Sequence, residues 1–174
     1  LASDQEARRF RLRRIAEQHE KTLAPEERAM FAAFARGVNH YIATHRGRLP
    51  LEFTMLSYDP RPWTVRDSIL AGLEMYRFLT SNWRAELVKM HMLAQGDREK
   101  VEYLFPPRTG GGPQPGSNAW AISGAHTATG KPILANDPHL ELTMPSAWHL
   151  VHLQAPGIDV TGGSIVGLPG VIVG

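Results

Sequence analysis

The apolar positions of the first hundred residues recur at helical spacing. From Asp4 to Lys21, Phe10, Leu12, Ile15 and Ala16 interrupt a charged run, which predicts an amphipathic helix. Arg8, Arg9, Arg11, Arg13 and Arg14 then form its solvated face. Pro25 suits the first turn of a second helix, with Glu26 and Glu27 at its positive end. Met30, Phe31, Phe34, Val38, Tyr41 and Ile42 carry that helix to about Thr44. Gly37, in its middle, costs about 1 kcal/mol relative to alanine and points to close packing. The stretch RGRLPLEFTMLSYDPRPW is punctuated by Pro50, Pro60 and Pro62 and reads as irregular. Thr64 and Asp67 have the spacing of a capping box, opening a helix that runs to about Leu79. A further helix spans Trp83 to Gln95 and stops at Gly96, a left-handed cap.

The period then changes. PPRTGGGPQPG, residues 106–116, holds four prolines and four glycines in eleven residues, a mix that no helix or strand interior tolerates. Beyond it, AWAIS, ILAN, SAWHLVHLQAPG, IDVTGG and SIVGLPGVIVG are short runs rich in Val, Ile and Thr, separated by Gly/Pro punctuation. They predict antiparallel strands, with a turn around Gly130. The chain is therefore expected to be α+β. Residues 1–105 form a helical part, 106–116 a linker and 117–174 a strand-forming part.

Composition narrows the function classes. Hydrophobic residues make up 43% of the 174, enough for a core, and the net charge of +2 does not mark a nucleic-acid binder. Without cysteine, neither disulfides nor thiolate metal sites are available. No apolar run is long enough to span a bilayer. Both ends look cut from a longer protein, and no signal peptide is visible.

Few residues suggest chemistry. His149 and His152 are three apart, and on a strand they point to opposite faces, which makes them poor joint metal ligands. Asn136-Asp-Pro-His139 brings an acid and an imidazole together in a bent chain, which by itself reads as a hydrogen-bonded turn. TGGGPQPG lacks the lysine of a phosphate loop. Ser117, just after Gly116 at the end of the linker, admits two readings. It starts a turn, or it is a nucleophile. No G-x-S-x-G elbow surrounds it. A cut before Ser117 would free an α-amine with a reference pKa near 8. That amine can act as the base for the serine's own hydroxyl. Gly116 has no side chain to obstruct attack on its carbonyl.

GSNAWAISGAHTATGKPILANDPHL strongly resembles the start of the catalytic subunit in the penicillin acylase (penicillin amidase) family of N-terminal nucleophile hydrolases. The resemblance rests on Gly116, Ser117, Asn118, Trp120, Thr127, Gly130, Asn136, Pro138 and His139. LEFTMLSYDPRPWTVRDSI and SNWRAEL resemble the family's smaller subunit, and VTGGSIVGLPGVIVG its next strand pair, so nearly the whole chain is covered.

The resemblance implies a fragment of a self-processing precursor, with part of a four-layer αββα fold. The 1–105 part belongs to the small subunit, 106–116 is a processing linker, and 117–174 opens the large catalytic subunit. It implies cleavage between Gly116 and Ser117, an α/β heterodimer and hydrolysis of N-acyl amides through an ester on Ser117, with no external cofactor for the chemistry. The amides include penicillin side chains and N-acyl homoserine lactones. His139 falls where the family places a residue that supports the nucleophile. Glu86 matches a ligand of a structural calcium whose other ligands would lie beyond Gly174. Tyr76, Thr80, Leu140 and Val173 match acyl-pocket positions. The family's oxyanion donor would also come after Gly174, so the fragment alone is expected to be inactive. A periplasmic or secreted location is implied as well. The rival reading is a non-catalytic α+β module that binds a small ligand or a partner chain and stays uncut.

Overall fold

The computed structural model describes residues 2–80, 83–96, 98–106, 116–140, 144 and 146–174. Most of the Gly/Pro linker, residues 107–115, lies outside these. The secondary structure is mixed α and β, and the chain divides into two compact units.

The first unit contains residues 1–79 and 148–172 together with Gly174. Its helices are α1 (Ala2–Phe10), α2 (Leu12–Thr22), α3 (Pro25–Thr44), α4 (Leu51–Met55) and α5 (Val65–Leu79). The expected single helix from Asp4 to Lys21 is thus broken at Arg11, which takes a left-handed φ of 55°. Residues two apart on one helix point to opposite sides, so Phe10 and Leu12 could not share a face. The break lets α2 turn Leu12, Ile15 and Ala16 inward, with Ala16 fully buried. The proline-rich stretch is not wholly irregular, because α4 forms one helical turn directly after Pro50. Gly37 also departs from expectation. A methyl group there would meet nothing within 4 Å, so close packing does not explain it.

The packing in this unit centres on α5, which contacts both α2 and α3. The Arg66 guanidinium reaches Glu20 at 2.9 Å and Glu17 at 3.2 Å, tying α5 to α2. The capping box at Thr64 is half realised. The Asp67 carboxylate accepts from the Thr64 backbone N–H at 2.8 Å, while the Thr64 hydroxyl donates to the same carboxylate at 2.7 Å. Arg61 completes the cluster with a two-pronged contact to Asp67. Burial pushes the Asp67 carboxyl up, but the Arg61 and Thr64 hydrogen bonds outweigh it and hold the group below the usual carboxylate range. The strands of this unit are β3 (Trp148–Ala155) and β4 (Ile158–Ile165), antiparallel with Trp148 opposite Ile165. After β4, Gly167 passes α5 so closely that a Cβ would lie 2.8 Å from that of Ala71.

The second unit contains residues 80–147 and Val173. Helices α6 (Trp83–Ala94) and α7 (Arg98–Leu104) pack on each other, and Val101 is buried. The expected stop after α6 is present, since Gly96 has a φ of 103° and its N–H bonds the Leu93 carbonyl. Strands β1 (Asn118–Ile122) and β2 (Ile133–Asp137) form an antiparallel pair. Across both units, large apolar side chains stay open to solvent, including Leu134 at 81% and Leu150 at 87%.

Candidate functional site

The β1–β2 connection aims Ser117. A short 3-10 turn, Gly124–His126, leads into a tight bend. The Thr127 hydroxyl lies 2.8 Å from the Lys131 carbonyl and 3.2 Å from that of Gly124. Gly130 takes a φ of 70°, a conformation that glycine adopts without steric cost. Gly124 faces the Gly130 carbonyl so closely that a Cβ would lie 2.2 Å from its oxygen. This bend sets the register in which Ile122 pairs with Ile133 and Asn118 with Asp137. Ser117 and His139 are therefore carried to the same end of the hairpin, although 22 residues separate them in sequence.

At that end, the His139 backbone N–H donates to Ser117 Oγ at 3.0 Å. The His139 ring meets Asp137 Oδ2 through Nε2 at 2.7 Å. A carboxylate only accepts, so Nε2 carries the hydrogen. Asp137 also accepts from Asn118, through the backbone N–H at 3.2 Å and the side-chain Nδ2 at 3.4 Å. The hydrogen bond from His139, followed by those from Asn118, holds the Asp137 carboxyl below its ordinary range despite the opposing effect of burial. Gly116 adds no bulk beside this cluster: a Cβ there would meet nothing within 4 Å. The arrangement presents a solvent-facing hydroxyl whose oxygen already accepts one main-chain hydrogen bond.

The family model for penicillin amidase matches residues 1–174. The chain belongs to the penicillin amidase family. Among its relatives, the acyl-homoserine lactone acylase QuiP of Pseudomonas aeruginosa is 29% identical over 211 residues, covering all of this chain and 25% of the relative. QuiP of Pseudomonas fluorescens strain Pf0-1 is 26% identical, with all of this chain and 26% of the relative covered. The penicillin acylase 2 proenzyme of Pseudomonas sp. strain SE83 is 27% identical over 202 residues, covering 94% of this chain and 26% of the relative. The chain thus spans about a quarter of the length of the curated relatives it matches.

The other residues expected from sequence to serve this penicillin amidase family chain fall in both units. Tyr76 lies on α5 in the first unit and is 67% exposed. Thr80, Leu140 and Val173 belong to the same unit as Ser117, with Leu140 and Val173 half-buried. Glu86 is an exposed residue on α6. Among the described residues, no group of three or more histidines and carboxylates could hold a metal ion. Calcium takes six to eight oxygen ligands, so Glu86 alone does not make a site for it. On β3, His152 meets Asp159 at 2.7 Å rather than acting with His149. Among the described residues, no helix is long and apolar enough to cross a membrane.

Sequence reasoning overlooked the link from Asp137 to Asn118. The resemblance ties His139 to Ser117, but Asp137 reads from sequence only as part of a hydrogen-bonded turn. The signal that joins Asp137 to Asn118 is the hairpin register, which follows from the bend at Thr127 and Gly130.

Proposed function

We propose that this chain is the processing region of an acylase precursor, with Ser117 as its nucleophile. The observation that carries this reading is the main-chain hydrogen bond from His139 to Ser117 Oγ, in a chain of the penicillin amidase family. A serine whose oxygen is held by an N–H keeps its own proton free for transfer to a base.

In maturation, Ser117 Oγ attacks the Gly116 carbonyl carbon. The C–N bond to Ser117 breaks, an ester forms on Oγ, and the hydroxyl proton passes to the departing amine. Water then hydrolyses the ester, leaving the Gly116 carboxylate and a free amine on Ser117. In turnover, that amine takes the Ser117 hydroxyl proton as Oγ attacks the amide carbonyl of an N-acyl substrate. The leaving amine receives a proton, and water releases the acid from the acyl ester.

The substrate class is an N-acyl amide whose acyl group is apolar. Relatives carry the names acyl-homoserine lactone acylase and penicillin acylase, which places N-acyl homoserine lactones and penicillins among the compounds to assay. Tyr76, Thr80, Leu140 and Val173 would line the acyl pocket. The mature protein would be a heterodimer in a four-layer αββα fold, acting in the periplasm or outside the cell. Its remaining chain would cover apolar side chains now exposed, such as Leu134 and Leu150. Glu86 would contribute one ligand to a structural calcium, with the other ligands supplied elsewhere in the precursor.

Intact-mass analysis of the full-length precursor tests the reading. The wild type should yield a chain that begins at Ser117, and Ser117→Ala should stay whole. A precursor that hydrolyses acyl amides with residues 116 and 117 still joined would refute it.

A further inference from the structure

Extending the β1–β2 register by one residue sets Ser117 opposite Pro138. Proline has no N–H, so it cannot offer a ladder donor to Ser117. Regular pairing ends at Asn118 and Asp137, one residue short of the serine. The Asp137 side chain continues the connection there. One oxygen accepts from the Asn118 N–H, and the other from Asn118 Nδ2 and His139 Nε2. A single carboxylate therefore holds two residues: the one that follows Ser117, and the one whose N–H reaches Ser117 Oγ.

We infer that Asp137 is a positioning residue for the Ser117 nucleophile, acting through Asn118 and His139. The inference rests on the proposed role of Ser117. Asp137 is itself half-exposed and could be satisfied by water alone. Its three protein contacts instead converge on the neighbours of one hydroxyl. Without the carboxylate, the 3.0 Å contact from His139 to Ser117 Oγ loses its lateral support and the hydroxyl loses its aim. A misplacement of about 1 Å at a reacting group costs on the order of 100-fold in rate.

The test uses the full-length precursor as wild type, Asp137→Ala and Asp137→Asn, with Ser117→Ala as reference. Self-cleavage is followed by intact mass, and turnover of an N-acyl homoserine lactone or a penicillin by kcat and KM. The alanine variant should cleave itself more slowly, and its kcat should fall by about 10- to 100-fold with KM within about twofold. Asparagine should lose less, because its one oxygen still serves Asn118 while its amide meets the His139 ring in reversed polarity. A kcat within twofold of wild type for Asp137→Ala overturns the inference, as does a rise in KM that accounts for the loss. If the alanine variant is not recovered folded, the asparagine variant decides, and an unchanged kcat and cleavage rate overturn the inference. Failure of the wild type to cut at Ser117 would refute the nucleophile assignment itself. A normal wild type with an indifferent Asp137 would remove only the positioning role.

Discussion

The Asn39 side chain binds both main-chain groups of Trp63. Its Nδ2 donates to the Trp63 carbonyl at 2.9 Å, and its Oδ1 accepts from the Trp63 N–H at 2.7 Å. Asn39 sits on α3, and Trp63 lies in the proline-flanked segment that leads into α5. One amide thus does for this segment what a strand partner does elsewhere, and it fixes where α5 begins. The Trp63 ring is held as well, its Nε1 donating to the buried Ser68 hydroxyl at 2.9 Å. Asn39→Ala should destabilise the chain by about 1–3 kcal/mol, since it strands a part-buried donor and acceptor. Asn39→Asp, which turns a second acceptor toward the Trp63 carbonyl, should cost at least as much at neutral pH. Urea midpoints at constant m-value check both.

Asp67 links stability to acidity. Its folded pKa is depressed, so its contribution is fully present above the ordinary carboxylate pKa and is lost as pH falls through the folded value. Asp67→Asn should therefore cost stability at neutral pH, by about 1–2 kcal/mol for a lost cap and ion pair. Wild type and variant should converge as the solution is acidified below both pKa values. A difference that persists undiminished in strong acid would contradict this. Arg61→Ala should give a smaller loss, because most of that guanidinium faces solvent.

Two glycines should respond in opposite directions. Gly37 lies within α3 with open space around it, so Gly37→Ala should stabilise by up to about 1 kcal/mol. Gly167 has a φ of 89°, and a Cβ there meets Ala71 at 2.8 Å and the Trp63 ring at 3.4 Å. Gly167→Ala should destabilise by about 2–3 kcal/mol, through backbone strain and displacement of α5. Thermal melting of the two variants side by side is the measurement.

His139 contacts Ser117 through its main chain, not its ring. His139→Ala keeps that donor, so the precursor should still process, more slowly than wild type. Ser117→Ala should abolish processing. A His139→Ala precursor that stays as uncut as Ser117→Ala would assign an indispensable role to the imidazole. Cleavage time courses by mass spectrometry separate the two.

The sequence alone determined the elements whose cause is local. The spacing of Met30, Phe31, Phe34, Val38, Tyr41 and Ile42, with Pro25 at the front, specified α3 from Pro25 to Thr44, because helical period and first-turn chemistry act within a few residues. Gly96 ended α6, and Thr127 with Gly130 shaped the bend between β1 and β2, for the same reason. The motif around Ser117 identified the family because residue order is itself the motif. Only the tertiary structure decided what depends on residues far apart in the chain. The break at Arg11 follows from which side of α2 meets α5, and the open space at Gly37 from what packs against α3. The contact of Asp137 with His139 is local, but its contact with Asn118 depends on hairpin register, which places side chains 19 residues apart within hydrogen-bonding distance.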